Sequence, residues 1–252
     1  MKMNKLLIVL LLVVMMVVST DLSAFAAQTA GRDALGEFAP KFAELNDDVL
    51  FGEIWSRELE LSPRDRSMIT VTALISGGNF AQLPFHLNFA KQNGVTQTEI
   101  SEVITHLSFY VGWPKAWSAF NLAREVFSVD DAQMPLSNSE IDTSRPRQTA
   151  GRDALGEFAP KFAELNDDVL FGEIWSRELE LSPRDRSMIT VTALISDGNF
   201  AQLPFHLNFA KQNGVTQTEI SEAVTHLAFY VGWPKAWSAF NLARDIFPVE
   251  GE

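Results

Sequence analysis

Apolar residues recur three and four positions apart along most of this chain, the period of a helix buried on one face, and no stretch alternates convincingly like a half-buried strand. Ser62-Pro63-Arg64-Asp65 reads as a helix start, with a hydroxyl to accept a free amide, a proline at the first helical position and an acid at the third. Met68, Ile69, Val71, Leu74 and Ile75 carry that helix to about Ser76. A second runs from about Leu83 to Gln92 and stops at Asn93-Gly94, where glycine takes the left-handed cap conformation. Thr96-Gln97-Thr98-Glu99 is a capping box, and Ile100, Val103, Ile104, Leu107 and Val111 draw one apolar stripe down the helix it opens. Gly112-Trp113-Pro114 ends that helix, and Pro114 begins a last one to about Phe127. Upstream, Leu35 to Leu45 and Val49 to Arg57 make one or two more, with Pro40 breaking or kinking the first. Five to six helices in about 100 residues predict an all-α domain.

The same pattern then repeats. Residues 28–129 match residues 148–249 at 95 of 102 positions, the seven exchanges being Gly77/Asp197, Val103/Ala223, Ile104/Val224, Ser108/Ala228, Glu125/Asp245, Val126/Ile246 and Ser128/Pro248. A period of this size is domain-sized rather than that of a solenoid unit, so the expectation is two tandem all-α domains, 28–129 and 148–249. The stretch 130–147 between them is rich in Ser, Pro and Asp without periodicity and reads as an exposed linker.

At the N-terminus Lys2 and Lys5 precede an apolar run from Leu6 to Val18, then a polar stretch and Ala24-Phe25-Ala26. This is the pattern of a secretory signal peptide over 1–26, cleaved after Ala26, and the run is shorter than the roughly 20 residues a spanning helix needs. The expectation is an exported protein, periplasmic or secreted, with no membrane attachment after cleavage. The net charge of −12 repels phosphate backbones and argues against nucleic acid as a partner. The chain has no cysteine, hence neither disulfides nor thiol chemistry.

The scarce polar residues cluster. Four histidines and two tyrosines occur in all, and EVITHLSFY, with its copy EAVTHLAFY, holds half of the former and all of the latter. Glu102, His106 and Tyr110 (Glu222, His226 and Tyr230 in the copy) fall at i, i+4 and i+8, along one helix face. A carboxylate one turn from an imidazole holds its tautomer and raises its pKa, as for an acid or base; the same spacing also suits an ordinary hydrogen bond on a helix edge. His86 (His206) lies among Phe80, Leu83, Phe85, Leu87 and Phe89 on a helix apolar nearly all round, which predicts burial, either as a responsive site histidine or as a satisfied core one. Arg64 and Arg66 (Arg184 and Arg186) at a helix start are either surface charges or carboxylate binders. Metal binding is weak: His86 and His106 with Glu99 or Glu102 lie on two helices without HxH or HExxH spacing. Trp113 and Trp117 read as core or subunit-interface residues.

FGEIWSRELELSPRDRSMITVTALI (51–75) and PFHLNFAKQNGVTQTEISEVITHLSFYVGWPKAW (84–117) resemble the carboxymuconolactone decarboxylase family over nearly all of each repeat. The resemblance implies two domains of the alkylhydroperoxidase D-like helical fold, which usually assembles into rings; for a fused pair it implies a homo-oligomer such as a trimer of two-domain chains. In the alkylhydroperoxidase branch a CxxCxxxH motif does the chemistry; here His86 matches its histidine, Asn79 and Gln82 stand at the cysteines, and Ser67 at its glutamate. Peroxidase or disulfide-reductase chemistry needs a thiolate and is thereby excluded. The decarboxylase branch lacks those cysteines and keeps the histidine. The implied function is an exported, cofactor-independent decarboxylase of a small lactone or unsaturated organic acid. In that reading His86 and His206 are catalytic with Glu102 and Glu222, while Arg66, Arg186, Arg64, Arg184, His106, His226, Tyr110 and Tyr230 bind substrate. The alternative is a non-catalytic exported binding or assembly module on the same fold.

Overall fold

The computed structural model describes residues 29–127 and 148–248 and divides the chain into two compact units, 1–58 and 59–252. The leader and the linker both fall outside the described residues. All regular structure among the described residues is helical.

In the first unit, α1 (Ala30–Leu35) and α2 (Pro40–Glu44) lead into a wide-turned π-helix, Leu45–Ile54. The break precedes Pro40, as the sequence suggests, but the helix expected from Leu35 to Leu45 is two short pieces. What holds them is long-range. The buried Asp47 carboxylate accepts from the Gly31 and Arg32 amides at 2.8 and 2.9 Å, satisfying free donors of α1 that no neighbouring side chain caps. A Cβ on Gly31 would lie 2.7 Å from Asp47 Oδ1, so the approach requires glycine.

The second unit holds α3 (Pro63–Gly77), α4 (Leu83–Gln92), α5 (Gln97–Val111) and α6 (Trp113–Val126). It also holds the whole described second repeat: α7 (Ala150–Leu155), α8 (Pro160–Glu164), a π-helical turn Leu165–Phe171, a 3-10 turn Ile174–Ser176, then α9 (Pro183–Asp197), α10 (Leu203–Gln212), α11 (Gln217–Val231) and α12 (Trp233–Ile246). The caps are those the sequence announces: Ser62 Oγ accepts from the Asp65 amide at 3.1 Å, and Thr96 and Glu99 close the capping box.

The two repeats share their cores. Leu61, Ile69 and Ala73 join a cluster made otherwise of second-repeat residues such as Ile195, Leu207 and Leu227, while Leu181, Ile189 and Ala193 join the first-repeat cluster. Helix α3 packs on α9, α5 on α9, and α11 on α3. Every residue of α3 from Asp65 to Ser76 is buried, because partners from both repeats surround it.

One expectation needs correction, and the two alternatives left open for Trp113 and Trp117 are narrowed. Helix α4 is buried on one face only, through Leu83, His86, Leu87 and Ala90, and Phe85 is 56% exposed. Trp113 and Trp117 are 54% and 65% exposed and therefore do not belong to the core of the chain.

Candidate active site

Glu102, His106 and Tyr110 do share a face of α5, and that face is turned toward the other repeat. Its neighbours come from α9, from the turn before it and from α10. Arg186 of α9 is fully buried; its Nη2 donates to Glu102 Oε1 at 2.6 Å and to the Arg177 carbonyl. Arg177 donates from Nε to both Glu102 oxygens at 3.0 Å. One buried carboxylate thus holds two arginines, and Glu180, 3.6 Å from Arg177 Nη2, supplies the second negative charge.

One turn along, His106 is closed into a ring of bonds. Thr190 Oγ1 gives its only proton to the Arg186 carbonyl at 2.7 Å, so at the 2.7 Å contact with His106 it accepts from Nε2–H. His106 Nδ1 is then the acceptor facing Arg186 Nη1 at 3.5 Å. The imidazole is neutral, its tautomer set by Thr190. Burial, then the Arg186 charge and the nearby His206, push its pKa well below the usual value. Glu102 one turn earlier was expected to raise it; instead that carboxylate is spent on the arginines and a cation stands beside the ring.

A further turn along, the Tyr110 oxygen accepts from Trp175 Nε1 at 3.0 Å. Burial raises its pKa, outweighing the hydrogen bonds with Trp175 and Thr190. The Tyr110 ring stands edge-on to His206 of α10 with centroids 5.5 Å apart; Phe205 stands edge-on at 5.0 Å and Trp175 stacks at 6.1 Å. His206 is 6% exposed, and its buried Nδ1 has no hydrogen-bond partner among the described residues. Burial among rings lowers its pKa to about 4, so it is neutral at pH 7.

The other half of the molecule repeats the arrangement with the roles exchanged. Arg66 Nη2 donates to Glu222 at 2.6 Å, Thr70 bridges His226 and the Arg66 carbonyl at 2.7 and 2.8 Å, and His86 meets Tyr230 at 5.5 Å. The pKa of His86 is likewise lowered to about 4 by burial. Each site therefore takes its histidine from one repeat and its Glu-His-Tyr face from the other.

Of the remaining arginines, Arg64 and Arg184 lie elsewhere. Arg64 Nη2 donates to Asp185 at 2.9 Å and to Glu99, and Arg184 Nη2 reciprocally to Asp65 at 2.8 Å, which ties the starts of α3 and α9 together. Ser67 is also committed, donating to the Pro63 carbonyl at 2.8 Å and accepting from Asn93 at 2.9 Å. Sequence reasoning missed Thr190, Trp175 and Arg177. Trp175 and Arg177 sit in the IWSR segment before the helix cap, where periodicity says nothing, and Thr190 stands on a helix buried all round.

Interleaved helical repeats with a buried histidine in each shared site define a class of protein, and comparison with known sequences places this one. The chain belongs to the carboxymuconolactone decarboxylase family, whose model matches residues 40–125 and 160–245. It is 37% identical over 93 residues to 4-carboxymuconolactone decarboxylase of Acinetobacter baylyi, covering 37% of this chain and 69% of that protein. It is also 37% identical over 81 residues to nitrosuccinic acid decarboxylase npaB of Metarhizium robertsii, covering 32% of this chain and 56% of the relative.

Proposed function

We propose that the protein is a cofactor-independent decarboxylase of small organic acids, with His86 and His206 as the proton-transferring residues of two equivalent sites. The observation that carries this is the state of His206: a neutral imidazole inside an aromatic enclosure, with a buried ring nitrogen that has no hydrogen-bond partner among the described residues. Tyr110 and His106 around it have their polar atoms committed.

Such an aromatic surrounding suits the loss of carbon dioxide. A carboxylate drawn among Trp175, Phe205 and Tyr110 loses its water, while the transition state, with its charge spreading into an electron sink, loses less by leaving water. The names of both relatives denote acids of this kind. Nitrosuccinic acid carries a nitro group and carboxymuconolactone an unsaturated lactone, either able to hold the electron pair, and both molecules bear two carboxyl groups. In this chain the entering anion favours the imidazolium form of His206. The carbon–carbon bond to the carboxylate then breaks, its electrons pass to the sink, carbon dioxide leaves, and the imidazolium proton closes the new C–H bond. Solvent returns the proton, so each turnover consumes one. Arg186 and His106, buried behind the wall, set the geometry of Glu102 and Tyr110 rather than meet the substrate.

Export through the leader and assembly with further copies belong to the same proposal, supported by the Lys2–Ala26 pattern and by the exposed Trp113, Trp117, Trp233 and Trp237.

The test is carbon dioxide release from a panel of nitro acids and lactone acids. Wild type is expected to turn over at least one of them, and the His86→Ala/His206→Ala double variant to lose about 100- to 10,000-fold in kcat. Undiminished release by the double variant would remove the histidines from the mechanism.

A further inference from the structure

His106 and His206 both border the Tyr110 ring, and they are held in different ways. His106 has both ring nitrogens engaged, Nε2 at the Thr190 hydroxyl and Nδ1 facing Arg186. His206 has neither: among the described residues its ring nitrogens make no hydrogen bond, and Nδ1 is buried. No partner selects its tautomer, so the lone pair can stand on either nitrogen.

The groups packed against His206 leave it in that state. From α5, Tyr110 is a neutral phenol whose oxygen is bonded by Trp175, and His106 is a neutral imidazole. Glu102, further along that face, is held by Arg186 and Arg177. Trp175 and Phe205 bring only rings to it. Burial is the cause that lowers its basicity, with no carboxylate opposing it, so at pH 7 it rests as a neutral base. Loss of carbon dioxide, by contrast, calls for its acid form.

A step in which imidazolium hands a proton to carbon also runs backward through the same transition state, the neutral ring taking a proton from carbon. We infer that His206 carries a second activity, reversible proton abstraction from small carbon acids, its substrates being nitroalkanes that bear a remote carboxylate. The neutral ring nitrogen takes the proton from the carbon beside the nitro group, and the C–H electron pair passes into that group to give a nitronate. The imidazolium exchanges its proton with solvent and returns one to the same carbon. No carbon–carbon bond breaks, and nothing is oxidised or reduced. The remote carboxylate places an anion near the ring, which stabilises the imidazolium that burial disfavours. The inference rests on the decarboxylase reading for the role of the histidine, and it requires no loss of carbon dioxide.

The probe is 3-nitropropanoate, whose carboxylate sits on a different carbon from the nitro group and so cannot leave into that sink. Deuterium uptake beside its nitro group is followed by proton NMR in heavy water, with the enzyme-free rate subtracted. Wild type is expected to exchange about 100-fold faster than His86→Ala/His206→Ala or His86→Gln/His206→Gln, thermal melts showing that the variants are folded. From about pH 5 to 7 the wild-type kcat/KM for exchange should stay level, because His206 keeps its neutral form there, and this readout needs no variant. No exchange above the enzyme-free rate, undiminished exchange in a folded variant, or exchange that falls as pH rises would overturn the inference. Carbon dioxide release from the acid panel without exchange sinks this inference and leaves the decarboxylase reading standing; exchange without carbon dioxide release does the reverse.

Discussion

His106 Nε2 lies 2.7 Å from the hydroxyl of Thr190, a residue 84 positions further along the chain and on the other repeat. That single contact fixes which nitrogen of His106 carries the proton, because the Thr190 proton is already given to the Arg186 carbonyl. A histidine that reads in sequence as the centre of a Glu-His-Tyr triad is thereby a neutral strut, and the imidazole whose Nδ1 has no hydrogen-bond partner among the described residues is His206, one ring further on.

Thr190→Val keeps the shape of the side chain and removes the acceptor. His106 would keep a buried N–H without a partner, at a cost of about 1–3 kcal/mol. Urea denaturation is expected to show a lower midpoint for Thr70→Val and for Thr190→Val, with the slope unchanged. An unaltered midpoint would mean that the ring of bonds around His106 contributes nothing to stability.

The exchange of residues between repeats makes a prediction that no single-repeat reading makes. His86 and Tyr230 belong to one site, whereas His86 and Tyr110 belong to different sites. His86→Ala/Tyr230→Ala should therefore spoil one site and leave about half the wild-type kcat, while His86→Ala/Tyr110→Ala spoils both and loses about tenfold or more beyond that. Equal activities of the two variants would contradict shared sites. Melting temperatures of both variants control for folding.

Acid should unfold the protein early. The His86 and His206 pKa values are near 4 in the folded protein, below the ordinary 6.5, so the unfolded chain binds more protons between those limits and stability rises with pH across them. Each contributes up to roughly 3 kcal/mol that is fully present above about pH 6.5 and lost as pH falls toward 4. His106 and His226, also lowered by burial, act in the same direction. Asp47 and Asp167, whose hydrogen bonds outweigh burial and hold them below 3.8, are lost only at lower pH. Thermal melts from pH 7 to 4 check this; His86→Gln/His206→Gln should flatten the dependence, and a Tm that stays level between pH 6.5 and 4.5 in wild type would contradict it.

The same titration bears on catalysis. If imidazolium delivers the proton, kcat/KM follows the protonated free enzyme and falls with rising pH above about 4, whereas kcat persists to higher pH because the bound anion raises the pKa in the complex. Initial rates across pH 4–8 decide between this and a neutral base, for which kcat/KM would rise through about pH 4 and stay level above it.

Much of the fold is local and therefore legible. Ser62-Pro63, Thr96 with Glu99 and Asn93-Gly94 satisfy or terminate helices through neighbours within a few residues, so the sequence places α3, α4 and α5 correctly to about a residue. The duplication and the lack of cysteine needed only the residues themselves, one repeat compared with the other. The segment from Ala30 to Ile54 was less legible, because its helix start is capped by Asp47 from 16 residues away.

What only the tertiary structure decided is which side chains face one another. Helical period says that Glu102, His106 and Tyr110 share a face, and it cannot say that the face looks across to Arg186, Thr190 and His206 of the other copy. Nor can it say that Arg66 and Arg186 are sealed in ion pairs with Glu222 and Glu102. The physical reason is range. Caps and stripes arise from bonds between residues one turn apart, whereas the charge state of a buried imidazole is set by burial and by partners that the chain brings together only when the two repeats pack.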